Sequence, residues 1–134
     1  MGKVYNVFIS HSWDHVDDLI RLRNLLNRKG YFNVEFTEVA PMNPINSNDV
    51  YYIRQQLSER IKSSDIVLGV AGIYASYSDW MEWELDKAKE HYKPILGVVP
   101  WGNERVSTVV SNRADKIVHW NTDSIVDAIR ELCN

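Results

Sequence analysis

DIVLGVAGIYASYSDWMEWEL, residues 65–85, decides how this chain is read. Its first seven residues, DIVLGVA, are a near-continuous apolar run of strand length. A strand that is apolar at consecutive positions is covered on both faces, which points to a parallel sheet between layers of helices. After Ser78 the period changes. Met81, Leu85, Ala88 and Tyr92 recur at helical spacing, so residues 78–92 read as an amphipathic helix with that stripe toward the sheet. Glu82, Asp86, Lys89 and Lys93 then fall toward solvent. A buried strand followed by an amphipathic helix is the repeating unit of α/β folds.

The same alternation runs outward in both directions. VYNVFIS (4–10) reads as a central strand, and from Val16 to Lys29 Leu19, Ile20, Leu22, Leu25 and Leu26 recur at helical spacing before a stop at Gly30. NVEFTE (33–38) is a shorter strand, and VAPMNPINSND (39–49) is a loop rich in Pro and Asn. Val50, Ile53, Leu57 and Ile61 form one stripe of a helix from Asp49 to Lys62. PILGVVP (94–100) is a further strand, WGNERVSTVVSNRA (101–114) a loop with a helix, KIVHW (116–120) another buried strand, and DSIVDAIRELC (123–133) a closing helix with Ile125, Ile129 and Leu132 on one face. These are five β-α units without repeat or linker, expected as a single domain over residues 1–134. Right-handed crossovers leave few topologies. The expected fold is an α/β, flavodoxin-like three-layer sandwich, with a five-stranded parallel sheet in the order 2-1-3-4-5.

Composition removes several function classes. Apolar content of 45% and charged content of 25% are ordinary for a globular chain, which argues against disorder. A net charge of −3 with no basic block argues against a dedicated nucleic-acid binder. The one cysteine, Cys133, excludes an internal disulfide framework or zinc cluster and suits a reducing compartment. No apolar run approaches the roughly 20 residues that span a bilayer. MGKVYNVFIS runs into a strand without a secretory pattern, so the expected location is the cytoplasm.

In such a sheet, ligands bind beyond the carboxyl ends of the strands, where the strand order reverses between strands one and three. That rule nominates Ser10, His11 and Ser12 after strand one, and Ala71, Gly72 and Tyr74 after strand three. Familiar chemistries fail there. SHSWDH lacks the glycines of a P-loop or dinucleotide fingerprint. A receiver domain would need an aspartate where Ala71-Gly72 stands. Ser10 and His11 are chain neighbours, a poor geometry for nucleophile and base. His11, His15, His91 and His119 are scattered and make no metal-ligand spacing, so no metal or cofactor is expected. What remains is a carboxylate. Trp80 and Glu84 lie at i and i+4 on a flank of the apolar stripe. Three readings of Glu84 stay open at this point: a rim residue in solvent, an ion-paired helix residue, or a partly desolvated working carboxylate. Trp80 and Trp83 equally read as packing residues.

VFISHSWD (7–14), SDIVLGVAG (64–72), YASYSDWMEWELDKA (74–88) and PILGVVPWGNERVSTVV with ADKIVHWNTDSIVDAIR (94–130) together resemble the Toll/interleukin-1 receptor (TIR) domain family, and within it a bacterial TIR-like group of anti-phage Thoeris signalling proteins. The resemblance spans essentially the whole chain. It implies cleavage of NAD, as substrate, at the nicotinamide–ribose bond, and formation of a cyclic ADP-ribose isomer used as a messenger. It implies that Glu84, in a W-x-x-x-E pattern with Trp80, is the catalytic glutamate. Ser10, His11, Ser12 and Trp13 match the loop that borders the nucleotide, and residues 39–49 are placed like the BB loop that flanks the site and mediates assembly. Trp13, Tyr74, Trp80 and Trp101 are candidates for an aromatic wall, and Gly72 is counted with the substrate-binding residues. Implied partners are NAD, further copies of the chain, and a downstream effector that senses the product. Two other readings compete: a non-catalytic interaction module working through the BB loop, and an enzyme like the nucleoside deoxyribosyltransferases, which also use a glutamate on a flavodoxin-like sheet.

Overall fold

A computed structural model describes residues 4–10, 16–30, 32–36, 51–71, 79–99 and 107–133, with side chains except at 16–19, 33–36, 51–53 and 79–80. The described elements alternate: β1 (Tyr5–Ser10), α1 (Val16–Lys29), β2 (Phe32–Phe36), α2 (Tyr51–Ser63), β3 (Ile66–Val70), α3 (Asp79–Glu90), β4 (Ile95–Val99), α4 (Thr108–Ser111), β5 (Lys116–His119) and α5 (Thr122–Cys133). The strands pair in parallel in the order β2-β1-β3-β4-β5. Gly30 ends α1 in the left-handed region at φ 73°, a conformation that costs glycine little, and its N–H donates to the carbonyl of Asn27.

Alternation along the strands divides the core in two. Val7, Ile9, Ile66, Leu68, Val70, Leu96 and Val98 pack on one face with Leu22 and Leu26 of α1 and Ile125 and Ile129 of α5. Phe8, Val67, Ala71, Ile95 and Val99 pack on the other with Leu57 and Ile61 of α2, Met81, Leu85 and Ala88 of α3, and Val110 of α4. Helices therefore cover both faces, and the central strands are buried at every described position of β3 and β4.

Register is fixed by paired contacts at the strand starts. Asp65, just before β3, accepts from the Asn6 N–H through its carboxylate and donates its own N–H to the Asn6 carbonyl. Asp115, just before β5, repeats the arrangement with the N–H and carbonyl of Ile95. At the β2 edge the rings of Tyr5 and Phe32, in register across the strands, stack at 5.9 Å.

Some sequence expectations are corrected. Tyr92 does not continue the buried stripe of α3, because the helix ends at Glu90 and Tyr92 turns to φ 58° with 94% of its surface exposed. The segment expected as a buried fifth strand is an edge strand in which only Val118 is buried and Ile117 is 38% exposed. Ile20, counted with the apolar set of α1, lies on its outer side. Val50 and the loop 39–49 lie outside the described residues.

On the α3 side of the sheet, three small residues stand in a row across the central strands: Ser10 pairs with Gly69, and Gly69 with Gly97. Val110 occupies the space they leave. A Cβ at Gly97 would come to 3.0 Å from Val110 Cγ1 and 3.2 Å from Ile117 Cγ1. Gly97→Ala should therefore lower the free energy of unfolding by about 1–3 kcal/mol through overpacking. Val110→Ala in the same chain should recover part of that loss. Urea denaturation of the single and double variants measures both.

Candidate functional site

The strand order reverses between β1 and β3, so their carboxyl ends form the switch point of the sheet. Ser10 closes β1 there and is fully buried. Glu84 sits on α3, between the buried positions Met81 and Ala88, and is only 2% exposed. The structure brings these two residues together: Ser10 Oγ donates a hydrogen bond of 2.8 Å to Glu84 Oε1. Of the three sequence readings of Glu84, this geometry removes the solvated rim residue. Lys87, the lysine three positions on along α3, bonds Glu90 at 3.0 Å.

A buried carboxylate is costly unless donors replace the water it has lost. β1 and α3 supply one such donor by bringing a strand end against a helix face. That approach depends on the small-residue row, since Gly69 beside Ser10 presents no side chain between sheet and helix. A Cβ at Gly69 would already lie 3.5 Å from Leu85 Cδ2 and 3.3 Å from Val110 Cγ1.

The end of β3 is held in a second way. Ala71, the residue after the strand, donates its N–H to the Val98 carbonyl, and its own carbonyl accepts from the N–H of Ser107. Ser107 is fully buried and stands at the N-cap position of α4. Sequence reasoning did not single it out, nor the glycine pair. The signals were present: Leu-Gly-Val recurs at 68–70 and 96–98, and a serine opens the helical stretch Thr108–Ser111.

The outer face of α3 is tied to α4 by Arg113. Its Nε donates to Asp86 Oδ1 at 2.7 Å, its Nη1 to the Val109 carbonyl at 3.0 Å, and its Nη2 to Glu82 Oε1 at 3.4 Å. The bond to Asp86 chiefly raises the Arg113 guanidinium above its ordinary value, against a smaller opposing effect of burial. A raised basic group contributes its stability below its unfolded value, so this clamp stays charged through the neutral range. Glu82 is thus a solvent-side residue with a partner. Trp83 is half-buried against the core beneath α3, with Lys87 Nζ 5.8 Å from its ring centroid. That is the packing reading of this tryptophan.

The other sequence-nominated residues, His11, Ser12, Trp13, Gly72, Tyr74 and Trp101, lie outside the described residues, as does the side chain of Trp80. Among the described residues, no group of three or more His, Cys, Asp or Glu could hold a metal ion, and no helix is long and apolar enough to cross a membrane.

Comparison with known proteins adds to this geometry. The family model described as Thoeris protein ThsB, TIR-like domain, matches residues 8–105. No curated protein matches. Among solved structures, a 2-deoxyribosyltransferase from Bacillus psychrosaccharolyticus superposes with a TM-score of 0.68 at 17% identity, covering 90% of this chain and 89% of that one. The CMP N-glycosidase BcmB of Clostridium botulinum gives 0.59 at 13% identity, covering 93% of this chain and 98% of that one. The TIR domains of the activated Roq1 resistosome give 0.55 at 16% identity, covering 95% of this chain and 70% of that one. At these identities the three likenesses concern the fold.

Replacing Arg113 by Gln should cost about 1 kcal/mol of stability, since the side chain is partly buried while its carboxylate partners are exposed. It should also flatten the dependence of the melting temperature on salt between low and molar concentrations. Thermal unfolding across a salt series checks both.

Proposed function

This chain belongs to the TIR-like domain family of Thoeris protein ThsB, and from that membership we propose that it is an NAD-consuming signalling enzyme with Glu84 as its catalytic carboxylate. The proposed reaction cleaves the nicotinamide–ribose bond and yields a cyclic ADP-ribose isomer in anti-phage defence. The observation that supports this reading best is the burial of Glu84 against Ser10 at the carboxyl ends of the central strands.

The chemistry makes a single carboxylate sufficient. Most glycosidases need a second carboxyl group to protonate the leaving oxygen. Nicotinamide in NAD is already cationic and departs neutral, so no general acid is required. The ribose left behind has oxocarbenium character, which an ionised Glu84 would stabilise electrostatically and orient through the ribose hydroxyls. The Ser10 O–H donates to that carboxylate. Capture of the cation by water gives ADP-ribose, whereas capture by an atom of the adenosine half gives a cyclic product. Trp13, Tyr74, Trp80 and Trp101 are proposed as the aromatic wall that excludes water and so favours the second outcome. His11, Ser12 and Gly72 are proposed to line the nucleotide. Self-association and a product-sensing effector belong to the same proposal.

A second reading is supported by the fold likeness to proteins named a deoxyribosyltransferase and a CMP N-glycosidase. On that reading the bond broken joins a base to the sugar of a nucleoside or nucleotide other than NAD.

Mass analysis of reactions with NAD, a deoxynucleoside pair and CMP, at high protein concentration, separates these readings. Cleavage of the bond between base and sugar is expected in NAD, with release of nicotinamide, and not in the deoxynucleosides or CMP. Glu84→Gln should lower nicotinamide release at least about 100-fold with the far-ultraviolet spectrum unchanged, as loss of a group acting on the transition state predicts. Turnover of the mutant equal to that of the wild type would remove Glu84 from the mechanism.

A further inference from the structure

We propose that Ser10 is a positioning residue for the Glu84 carboxylate rather than a donor to the substrate. The inference rests on the reading of Glu84 as the carboxylate that acts on the glycosidic bond. A serine hydroxyl carries one proton. In this structure that proton is directed at Glu84 Oε1 over 2.8 Å, between two groups that are 0% and 2% exposed. While the bond stands, Ser10 has no proton to offer a phosphate or ribose oxygen.

The two ends of the bond differ in rigidity. Ser10 is the last residue of β1, an interior strand paired with β2 on one side and β3 on the other. Its Cα is fixed by register to Gly69. Glu84 is carried on a helix by a side chain with three rotatable bonds. A charge-assisted bond from the sheet therefore selects one rotamer of the glutamate and sets its carboxylate relative to the strand ends. Displacement of a reacting group by about 1 Å can cost on the order of 100-fold in rate, so the hydroxyl acts on the reaction through Glu84 without touching the substrate.

The test has one arm with substrate and one without. In nicotinamide release from NAD, Ser10→Ala should lower kcat about 10- to 100-fold with KM within about threefold of wild type. Ser10→Thr, which keeps the hydroxyl, should recover most of that loss. A raised KM with kcat preserved would show Ser10 to be a substrate donor and overturn the proposal, as would equal defects in the Ala and Thr variants. The arm without substrate is a thermal double-mutant cycle of Ser10→Ala and Glu84→Met. Removing one partner leaves the other's buried polar group one hydrogen bond short, whereas removing both does not. The double variant should therefore lose clearly less in Tm than the sum of the single losses. Additive losses would overturn the pairing whatever the substrate. A wild type that releases no nicotinamide, with the cycle still non-additive, would remove NAD as substrate and support the pairing.

Discussion

The hydrogen bond between Ser10 and Glu84 constrains the packing around it, because a carboxylate with 2% exposure keeps its charge only where donors replace lost water. The donor lies at the end of an interior strand and the acceptor on a helix, so helix and sheet must approach closely at that point. Side chains of ordinary size beneath α3 and α4 would hold them off. Gly69 and Gly97 supply the gap, and Val110 shows how little room is left in it, since a methyl group at Gly97 would meet it at 3.0 Å. The row Ser10, Gly69, Gly97 is thus one structural device with two effects. It seats α4 against β3 and β4, and it lets the carboxylate of α3 reach β1.

The outer face of α3 is bound independently. Arg113 reaches Asp86 and Glu82 from the turn that follows α4, so the helix that carries Glu84 is held on the inside by apolar packing and on the outside by a charged clamp. At the carboxyl end of the central strand β3, the Ser107 N–H donates to the Ala71 carbonyl. Each contact comes from a segment distant in sequence, and each orients the same few residues.

What could be read from the sequence follows from the kind of signal each element carries. β3 was legible because a short apolar run between turn signals suits a strand buried on both faces, and α1 because Leu22 and Leu26 recur one turn apart ahead of the stop at Gly30. Glu84 was legible as a position on the flank of a stripe, but its partner was not, since nothing local connects residue 10 to residue 84. The glycine row was missed for the same reason: each glycine is ordinary in its own strand, and only register aligns them. Tyr92 was misjudged because periodicity extends past a helix end that a change of backbone conformation determines. The expected strand order already put β5 at the sheet edge, but its burial was misjudged, because an apolar run does not say which of its side chains an edge leaves uncovered. The loops that carry most of the nominated ligand contacts lie outside the described residues.

With its hydroxyl directed at Glu84, Ser10 is withdrawn from the set of donors that a dinucleotide's pyrophosphate would need. In the sequence, Asp14, Asp17 and Asp18 stand before and within the first turn of α1, a run that suits a helix dipole but repels phosphate. No arginine or lysine stands in the stretch from Ser10 to Ile20. Within this stretch the donors open to a dinucleotide are neutral ones, the Ser12 hydroxyl and backbone N–H groups. In the proposed reaction, discrimination would rest on the leaving group: a cationic nicotinamide needs no acid to depart, so one well-oriented carboxylate would suffice.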